Sequence, residues 1–293
     1  MNFAIIEQIA LYIPLILGAY LTISLMRIPN LSIETAYVFG AIIASLVLKF
    51  EGCFGLEILL TALVVSACAG AIVGIIAGLF SQVAQFSHIL SAIITMGLFH
   101  GISQWVLGSS HVTIAHLYNP LKMFDFIPSF PELPIILTVA LIVTGLFFLF
   151  MKTQLGISCA LYGDNIFFLK NYRMNQSYVV TAGLALGNAL AGISGYMVAQ
   201  SNGFADTMMG VGLPLVCLSS LIIGRTFFPT SKPIQIEVPF VGVLGYFMIQ
   251  VVLLNIGFDL RYFTSVQAII VATLLIFFTQ YVSRGSDKNI LGI

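Results

Sequence analysis

Long uncharged apolar runs alternate with short polar connections along most of the chain. A helix needs about 20 apolar residues to cross a bilayer, and seven runs reach that length. Two shorter runs, Thr35–Leu48 and Val211–Gly224, complete the pattern. The seven long runs are Gln8–Met26, Ile58–Phe80, Ile89–Leu107, Leu133–Met151, Tyr178–Gln200, Val238–Phe258 and Tyr262–Ser283. The pattern predicts an all-α polytopic membrane protein with about nine transmembrane segments in one domain, 1–293.

The segment Lys152–Ser177 is the longest stretch with regularly spaced polar and charged residues. Its periodicity predicts two short amphipathic helices broken at Gly163-Asp164-Asn165, where Gly163 supplies a turn and Asp164 or Asn165 caps the second helix. Ile157, Ala160 and Leu161 form the apolar stripe of the first helix. A simple connecting loop does not need this construction, so we interpret the segment as a docking element for a cytoplasmic partner. The alternative is a surface helix lying among lipid headgroups.

Composition supports the membrane assignment and excludes other classes. Hydrophobic residues make up 59% of the chain, charged residues only 8%, and the mean hydropathy is +1.07. Soluble domains carry roughly 25% charged residues. The formal net charge is zero, which gives no sign of nucleic-acid binding. The four scattered cysteines are interpreted as small hydrophobic residues, and the N-terminal run as a retained first span rather than a signal peptide.

The distribution of basic residues predicts the orientation, because cytoplasmic loops retain Lys and Arg. If Lys152–Ser177 is cytoplasmic, eight basic residues lie inside and three outside. The inside residues are Arg27, Lys152, Lys170, Arg173, Arg225, Lys232, Arg284 and Lys288, and the outside residues are Lys49, Lys122 and Arg261. The N-terminus is therefore expected outside and the C-terminus inside.

The two short runs occupy corresponding positions in two halves of the chain. Each follows a full span and a polar turn that contains an acid. The offset of five spans is odd, so the two runs enter from opposite faces, as in an inverted-topology repeat with a transport path. This predicts a first repeat at 1–107, a connecting span at 133–151, a cytoplasmic segment at 152–177 and a second repeat at 178–293. The alternative is a chance match among nine segments.

Several polar or small residues around these runs are candidates for a translocation path. They are Ser32, Glu34, Asn188, Asp206, Gly210 and Gly212. Glu34 and Asp206 either stabilise a helix N-terminus or line a polar gate, and Asp206 is also placed to meet an external partner. Asn188 either bonds to another helix or lines the path. Glycines repeated every four residues, at Gly70, Gly74 and Gly78, predict close helix packing.

No catalytic constellation is present in the sequence, so we do not expect an enzyme. The chain lacks a Gly-Lys dipeptide and therefore a phosphate-binding loop of the G-x-x-x-x-G-K-[ST] type. His111 and His116 share one external loop, but a metal site needs three or four ligands. An ordinary solvated loop is the favoured interpretation, and no metal or cofactor is expected.

Ordered motifs over nearly the whole chain resemble those of permease subunits of bacterial ABC importers, in the branched-chain amino-acid and ribose permease superfamily. The likeness is greatest to the branch associated with tryptophan/tyrosine-type binding proteins. The motifs are Pro14-Leu15-Ile16-Leu17-Gly18-Ala19, Asn30-Leu31-Ser32, Gly40-Ala41, Ile89–Thr95, Gly108, Gly163-Asp164-Asn165, Gly187–Gly192, Gly203–Asp206, Met209–Gly212, Ile222-Ile223-Gly224 and Asp259-Leu260. The family usually has Asp at the position of Asn30, a basic residue at Ala160 and Gly at Arg173.

This resemblance implies an importer permease in the bacterial cytoplasmic membrane, working by alternating access as a homodimer in the lipid bilayer. Its partners would be cytoplasmic ABC ATPase subunits, which use the ATP, and an extracytoplasmic substrate-binding protein. The segment 152–177 would be the coupling segment. Its expected ATPase-coupling residues are Gly156, Leu161, Gly163, Asp164, Asn165, Phe168 and Leu169. The resemblance favours an amino acid or similar small polar solute as substrate.

Two other classes remain open on the sequence. A stand-alone secondary transporter driven by a proton or sodium gradient fits the repeat and the short segments equally well. That class gives no role to the amphipathic segment Lys152–Ser177. The sequence also has few membrane-embedded acids that could relay protons. A structural or channel subunit requires the family resemblance to be accidental.

Overall fold

A computed structural model describes residues 2–49, 55–115, 119–122, 131–164, 175–228 and 235–257, together with scattered positions between 265 and 276. Within these ranges the chain is an all-α polytopic membrane protein with one small pair of strands. The helices are α1 (Asn2–Ala19, continued by a π-helical stretch, Tyr20–Leu25), α2 (Ser32–Val47), α3 (Leu56–Gln82), α4 (His88–Leu107), α5 (Leu133–Met151), α6 (Gln154–Asp164), α7 (Gln176–Asn202), α8 (Leu213–Phe227) and α9 (Glu237–Asn255).

Six of these helices are long and apolar enough to cross a membrane: α1, α3, α4, α5, α7 and α9. The shorter apolar helices α2 and α8 correspond to the two short runs of the sequence. Most of the ninth predicted segment, Tyr262–Ser283, lies outside the described residues. The count of nine and the inverted repeat therefore stay predictions.

Helix α7 is the centre of the packing, because α1, α2 and α3 all lie against it. Small residues allow this closeness. A Cβ atom added at Gly18 would overlap the backbone of Gly187, and one at Gly40 would overlap the backbone of Gly192. Gly70 on α3 sits in the same way against the Asn188 carbonyl group. The predicted glycine packing faces are confirmed, and they put helix backbones in contact where lipid offers no hydrophobic drive.

Helices α8 and α9 form a second packing unit. A Cβ atom at Gly224 would overlap the Val238 carbonyl oxygen, and one at Gly242 would overlap the Ser220 carbonyl oxygen. Among the described residues, this pair joins the rest of the bundle mainly through α1. We call α1, α2, α3 and α7 the body, α8 and α9 the arm, and the contact between them the seam.

Two three-residue strands, which the sequence did not reveal, close one face of the bundle. Strand β1 (His111–Thr113) follows α4, and β2 (Phe204–Asp206) follows α7. They pair antiparallel, with His111 opposite Asp206 and Thr113 opposite Phe204. The ends of α4 and α7 therefore share one face, as the predicted topology requires. At the opposite face, an Arg27 guanidinium nitrogen lies 3.7 Å from an Asp164 carboxylate oxygen. Which face is cytoplasmic stays a prediction.

Helix α6 ends at Asp164 and Asn165 lies outside the described residues, so the predicted break at Gly163-Asp164-Asn165 stays a prediction. The helix runs without interruption from Gln154 through Asp164, and Gly163 has no left-handed backbone. Its lack of a side chain serves packing, because a Cβ atom there would overlap the Leu25 carbonyl oxygen of α1.

Candidate functional site

Helix α2 begins in a closed ring of three polar side chains. The Asn30 amide donates to the Asn188 oxygen (2.7 Å), the Ser32 hydroxyl donates to the Asn30 oxygen (2.7 Å), and the Asn188 amide donates to the Ser32 oxygen (2.9 Å). All three residues are buried, Ser32 and Asn188 completely. Each side chain both donates and accepts a hydrogen bond within the ring. These bonds offset the cost of burying polar groups in an apolar interior.

This ring lies deep in the bundle. Asn188 is about 18 Å from the start of α7 and about 21 Å from its end, since the helix spans Gln176–Asn202 with a rise of about 1.5 Å per residue. Helix α2 therefore starts near mid-depth rather than at a surface. Of the two interpretations of Asn188, the bond to another helix is the one that the structure shows. The path role of Ser32 and Asn188 stays a prediction.

Helix α8 begins close to the same depth, but it starts at a glycine rather than in a ring of polar side chains. Gly212 precedes the helix with φ 88°, a left-handed conformation that favours glycine. The Gly212 N–H donates to the Glu34 carboxylate. A Cβ atom at Gly210 would crowd Val38 and the Glu34 backbone. The half-buried Glu34, in the first turn of α2, is thus also in contact with the start of α8.

Five of the six predicted path residues therefore meet in one central layer where two short helices begin. Asp206 does not belong to it. Asp206 ends β2 at the sheet-bearing face, where its carboxylate accepts from the Met208 N–H (2.9 Å) and the Thr207 hydroxyl (3.5 Å). Asp206 therefore stabilises a local turn. Its role in the translocation path stays a prediction.

Helix α6 lies on α5 and on the body through a face of small residues. Gly156 packs on the Phe150–Met151 backbone, and Cys159 packs against Gly183 of α7. The Cys159 thiol is fully buried 3.9 Å from the Val179 carbonyl oxygen, and burial raises its pKa to about 12. The predicted apolar stripe is wrong at Ile157, whose side chain is 45% exposed. Small residues, rather than large apolar ones, form the contact because they bring the backbones together.

A side-chain bridge that the sequence did not predict connects α6 to two other helices. The His88 ring at the start of α4 has Nδ1 2.7 Å from the Ser81 hydroxyl of α3 and Nε2 3.5 Å from the Tyr162 hydroxyl of α6. Burial raises the pKa of Tyr162. Asn165, Phe168 and Leu169 lie outside the described residues, so their coupling role stays a prediction, as it does for Gly156, Leu161, Gly163 and Asp164.

The seam is fastened on the side where α6 lies. Arg225 of α8 donates to the Ser24 hydroxyl (Nε 3.2 Å, Nη2 2.7 Å) and to the Ser24 carbonyl oxygen (3.0 Å). The Tyr20 hydroxyl accepts from the Gln235 N–H at 2.8 Å. Both acceptors belong to the π-helical stretch of α1.

Towards the sheet-bearing face, the seam opens into a cavity of about 220 Å³. Its lining includes Gln8, Tyr12, Gly212, Tyr246, Phe247 and Gln250. The Tyr12 and Phe247 rings meet edge to face, with centroids 5.3 Å apart. Only Gly212 of these was predicted as a site residue. The sequence offered one signal for this cavity, because Gln8 and Gln250 are polar residues in two of the apolar runs.

Metal binding finds no support in the part of the chain that the structure describes, which holds no group of three or more potential ligands. His111 is an exposed strand residue, and its Nδ1 lies 3.4 Å from the Ser110 hydroxyl. His116 lies outside the described residues.

Comparisons with known proteins agree with this architecture. A family model described as "Branched-chain amino acid transport system / permease component" matches residues 1–282. A tyrosine transport system permease protein of Clostridioides difficile is 30% identical over 214 residues, covering 72% of this chain and 68% of that protein. An uncharacterized protein of Rickettsia prowazekii is 27% identical over 259 residues, covering 87% and 89%. No solved structure matches.

Proposed function

The chain belongs to the family of permease components of branched-chain amino acid transport systems, and from that premise we propose that it is the membrane subunit of an ATP-driven importer in the bacterial cytoplasmic membrane. ATP is used by a separate cytoplasmic subunit that docks on the coupling segment 152–177. Two copies of the chain form the path, and an extracytoplasmic binding protein delivers the solute.

The observation that carries the proposal is the placement of α6. It is an 11-residue helix between two long apolar helices, and its small-residue face is locked onto α1, α5 and α7. Its other face, with Gln154, Ile157 and Asp164, is exposed. A helix held rigidly on one side and open on the other is suited to receive force from a docked partner and pass it to the bundle.

The transported solute that we favour is an amino acid. One relative is named as a tyrosine permease, and the family description names branched-chain amino acid transport. Alternating access then consists of movement at the seam, where the body and the arm meet, as α6 is displaced. The central layer around Glu34, Gly210 and Gly212 is the constriction that such movement would open.

A gradient-driven secondary transporter is the second candidate, and Glu34 is the observation that favours it. This carboxylate is half-buried near mid-depth, and ionisable groups at such depth commonly serve ion pathways. The candidate leaves the exposed face of α6 without a partner.

Co-purification from detergent-solubilised native membranes tests the proposal. The tagged chain is expected to bring down an ATPase with a phosphate-binding loop, and Ile157→Asp is expected to lose it. Phe204→Asp is the matched control, because Phe204 is an apolar side chain with the same 45% exposure at the opposite face. If neither the native chain nor the control recovers an ATPase, the importer proposal is overturned and the gradient-driven candidate takes its place.

A further inference from the structure

The π-helical stretch of α1, Tyr20–Leu25, has unusual backbone bonding. The Met26 N–H donates to the Leu21 carbonyl oxygen (3.0 Å), five residues back instead of four. Such turns are rare, and they occur mostly as single interruptions of α-helices, frequently at functional sites. Every residue of the stretch except Ile23 is buried. The stretch can therefore act only through the elements that pack on it.

Helix α6 meets the end of this stretch. A Cβ atom at Gly163 would overlap the Leu25 carbonyl oxygen, so the two backbones are in direct contact. Beside this contact, an Arg27 guanidinium nitrogen lies 3.7 Å from an Asp164 carboxylate oxygen. No flexible side chain lies between the two backbones to absorb a movement of α6. A displacement of α6 towards α1 must therefore displace Leu25 as well.

The arm is attached to the same stretch by hydrogen bonds. Arg225, near the end of α8, donates to the hydroxyl and to the carbonyl oxygen of Ser24, the residue before Leu25. The Gln235 N–H, ahead of α9, donates to the Tyr20 hydroxyl. The contact with α6 and the attachment of α8 are therefore on adjacent residues of α1.

We propose that Tyr20–Leu25 transmits a displacement of α6 to the arm, and that Arg225 is the positioning residue that makes the seam follow. The same residues have a second possible arrangement, the ordinary α-helix with bonds four residues back. A change between these two arrangements moves Leu25 and Ser24 together, and coupling of this kind needs an element with two discrete states. The inference rests on the proposed function, and it adds a route from the coupling segment to the seam.

Labelling of a cysteine at the seam tests this route in the purified chain. Val216 of α8 lines the seam cavity, and Val216→Cys is treated with N-ethylmaleimide in detergent, with peptide mass spectrometry assigning the label. Gly163→Ala pushes on Leu25 and is expected to change the labelling rate at least about threefold, because a shift between two states changes exposure. An unchanged rate overturns the inference.

The matched control for this experiment is Gly156→Ala, on the same helix. A Cβ atom at Gly156 would overlap the Phe150 carbonyl oxygen of α5, so this change disturbs α6 as severely but away from α1. The labelling rate of Val216→Cys is expected to stay within about 1.5-fold of the value without the change. If Gly156→Ala and Gly163→Ala alter the rate equally, the seam responds to any disturbance of α6, and the route through Leu25 is overturned.

The complex with the co-purified ATPase isolates the role of Arg225. ATP with orthovanadate, which mimics the transferred phosphoryl group, is expected to change the labelling rate of Val216→Cys at least about fivefold relative to the nucleotide-free complex. Arg225→Ala is expected to reduce this response to less than about twofold while ATP hydrolysis persists. Thr226→Ala is the control, because the Thr226 hydroxyl donates within α8, to the Ile222 carbonyl oxygen (2.7 Å).

The outcomes separate this inference from the proposed function. If no ATPase is recovered with the native chain, the importer proposal fails and this inference fails with it. If the ATPase is recovered and Arg225→Ala responds to nucleotide as the native chain does, only the transmission through Tyr20–Leu25 is overturned. A response that is lost in Arg225→Ala and kept in Thr226→Ala supports it, since a purely structural loss would also remove the bound ATPase or its activity.

Discussion

The two short helices begin at similar depth, yet they are secured in opposite ways. Helix α2 starts in a ring of side-chain hydrogen bonds and is buried along most of its length, from Ser32 to Ser45. Helix α8 starts from Gly210 and Gly212, where the Glu34 carboxylate accepts from the Gly212 N–H, and the cavity lies directly beside its first turn. One helix is enclosed by the body, while the other lies at the edge of an opening.

This difference indicates which part of the molecule is suited to move. The body is joined by backbone contact between glycines, which tolerates almost no displacement. The arm meets the body at a seam with polar fasteners at one end and a cavity at the other. Rotation about the fastened end would change the cavity while leaving the ring around Asn188 intact.

The largest effect is expected from Gly195→Ala, which attacks the enclosure of α2 directly. A Cβ atom at Gly195 would overlap the Tyr37 carbonyl oxygen, and a backbone atom cannot move aside as a side chain can. We expect a loss of about 3 kcal/mol, at the upper end of overpacking costs, measured by SDS-induced unfolding in mixed micelles. Gly97→Ala on α4 is the control, because nothing lies within 4 Å of that position. Equal stability of the two variants would contradict the description of α2 as fixed.

Asn188→Leu should cost less, about 2 kcal/mol, because it leaves two buried polar side chains without their partner. Asn30 loses its acceptor and Ser32 loses its donor. The same unfolding measurement applies, and Asn202→Ala at the exposed end of α7 should stay within about 0.5 kcal/mol of the native chain. A neutral Asn188→Leu would show that the ring does not secure α2.

The fastened end of the seam is tested by a double-mutant cycle between Ser24 and Arg225. Each single change to alanine is expected to cost about 1 kcal/mol, since both remove charge-assisted hydrogen bonds. Two of the three Arg225 bonds to Ser24 end on its hydroxyl. The double variant is therefore expected to cost about 0.5–1 kcal/mol less than the sum of the singles. If the free-energy costs of the two single changes add exactly, Ser24 and Arg225 do not stabilise each other, and other contacts hold the seam.

The smallest change tests the packing of α6 against the body, and we expect it to leave stability unchanged. Ile157→Cys introduces an exposed thiol on the face opposite Cys159. At pH 8 a maleimide should modify residue 157 at least about tenfold faster, because the thiolate reacts and burial holds the pKa of Cys159 at about 12. Peptide mass spectrometry gives both rates in one sample. Rapid modification of Cys159 would mean that α6 separates readily from α7.

Much of the fold was predictable because its signals are local. Apolar run lengths gave the long helices to within about three residues where the structure describes them, except that α1 begins at Asn2, well before the predicted Gln8. Glycine spacing identified the packing face of α3. The membership in a permease family, inferred from ordered motifs, is confirmed by the family match. These features depend on hydropathy and small side chains, which the sequence displays directly.

The features that escaped prediction depend on distant contacts. The close packing of Gly163 on the Leu25 backbone could not be predicted, because the two residues are remote in sequence. The bridge through His88 and the β1–β2 pair join segments separated by tens of residues. Gln250 gave a visible signal as a polar residue in an apolar run. Its place in the cavity lining could not be predicted, because the cavity is formed together with α1 and α8, which are distant in sequence.

The central position of α7 has a consequence for the time course of biosynthesis. Helices α1 to α3 carry glycine faces that fit a helix ending at Asn202. Ribosomes add about 5–20 residues per second, so the interval between completing α3 and completing α7 is roughly ten seconds. During that interval the glycine faces of the first three helices lack the helix that they pack against. Because α7 is synthesised after α1, α2 and α3, these helices can pack fully only once α7 has been inserted.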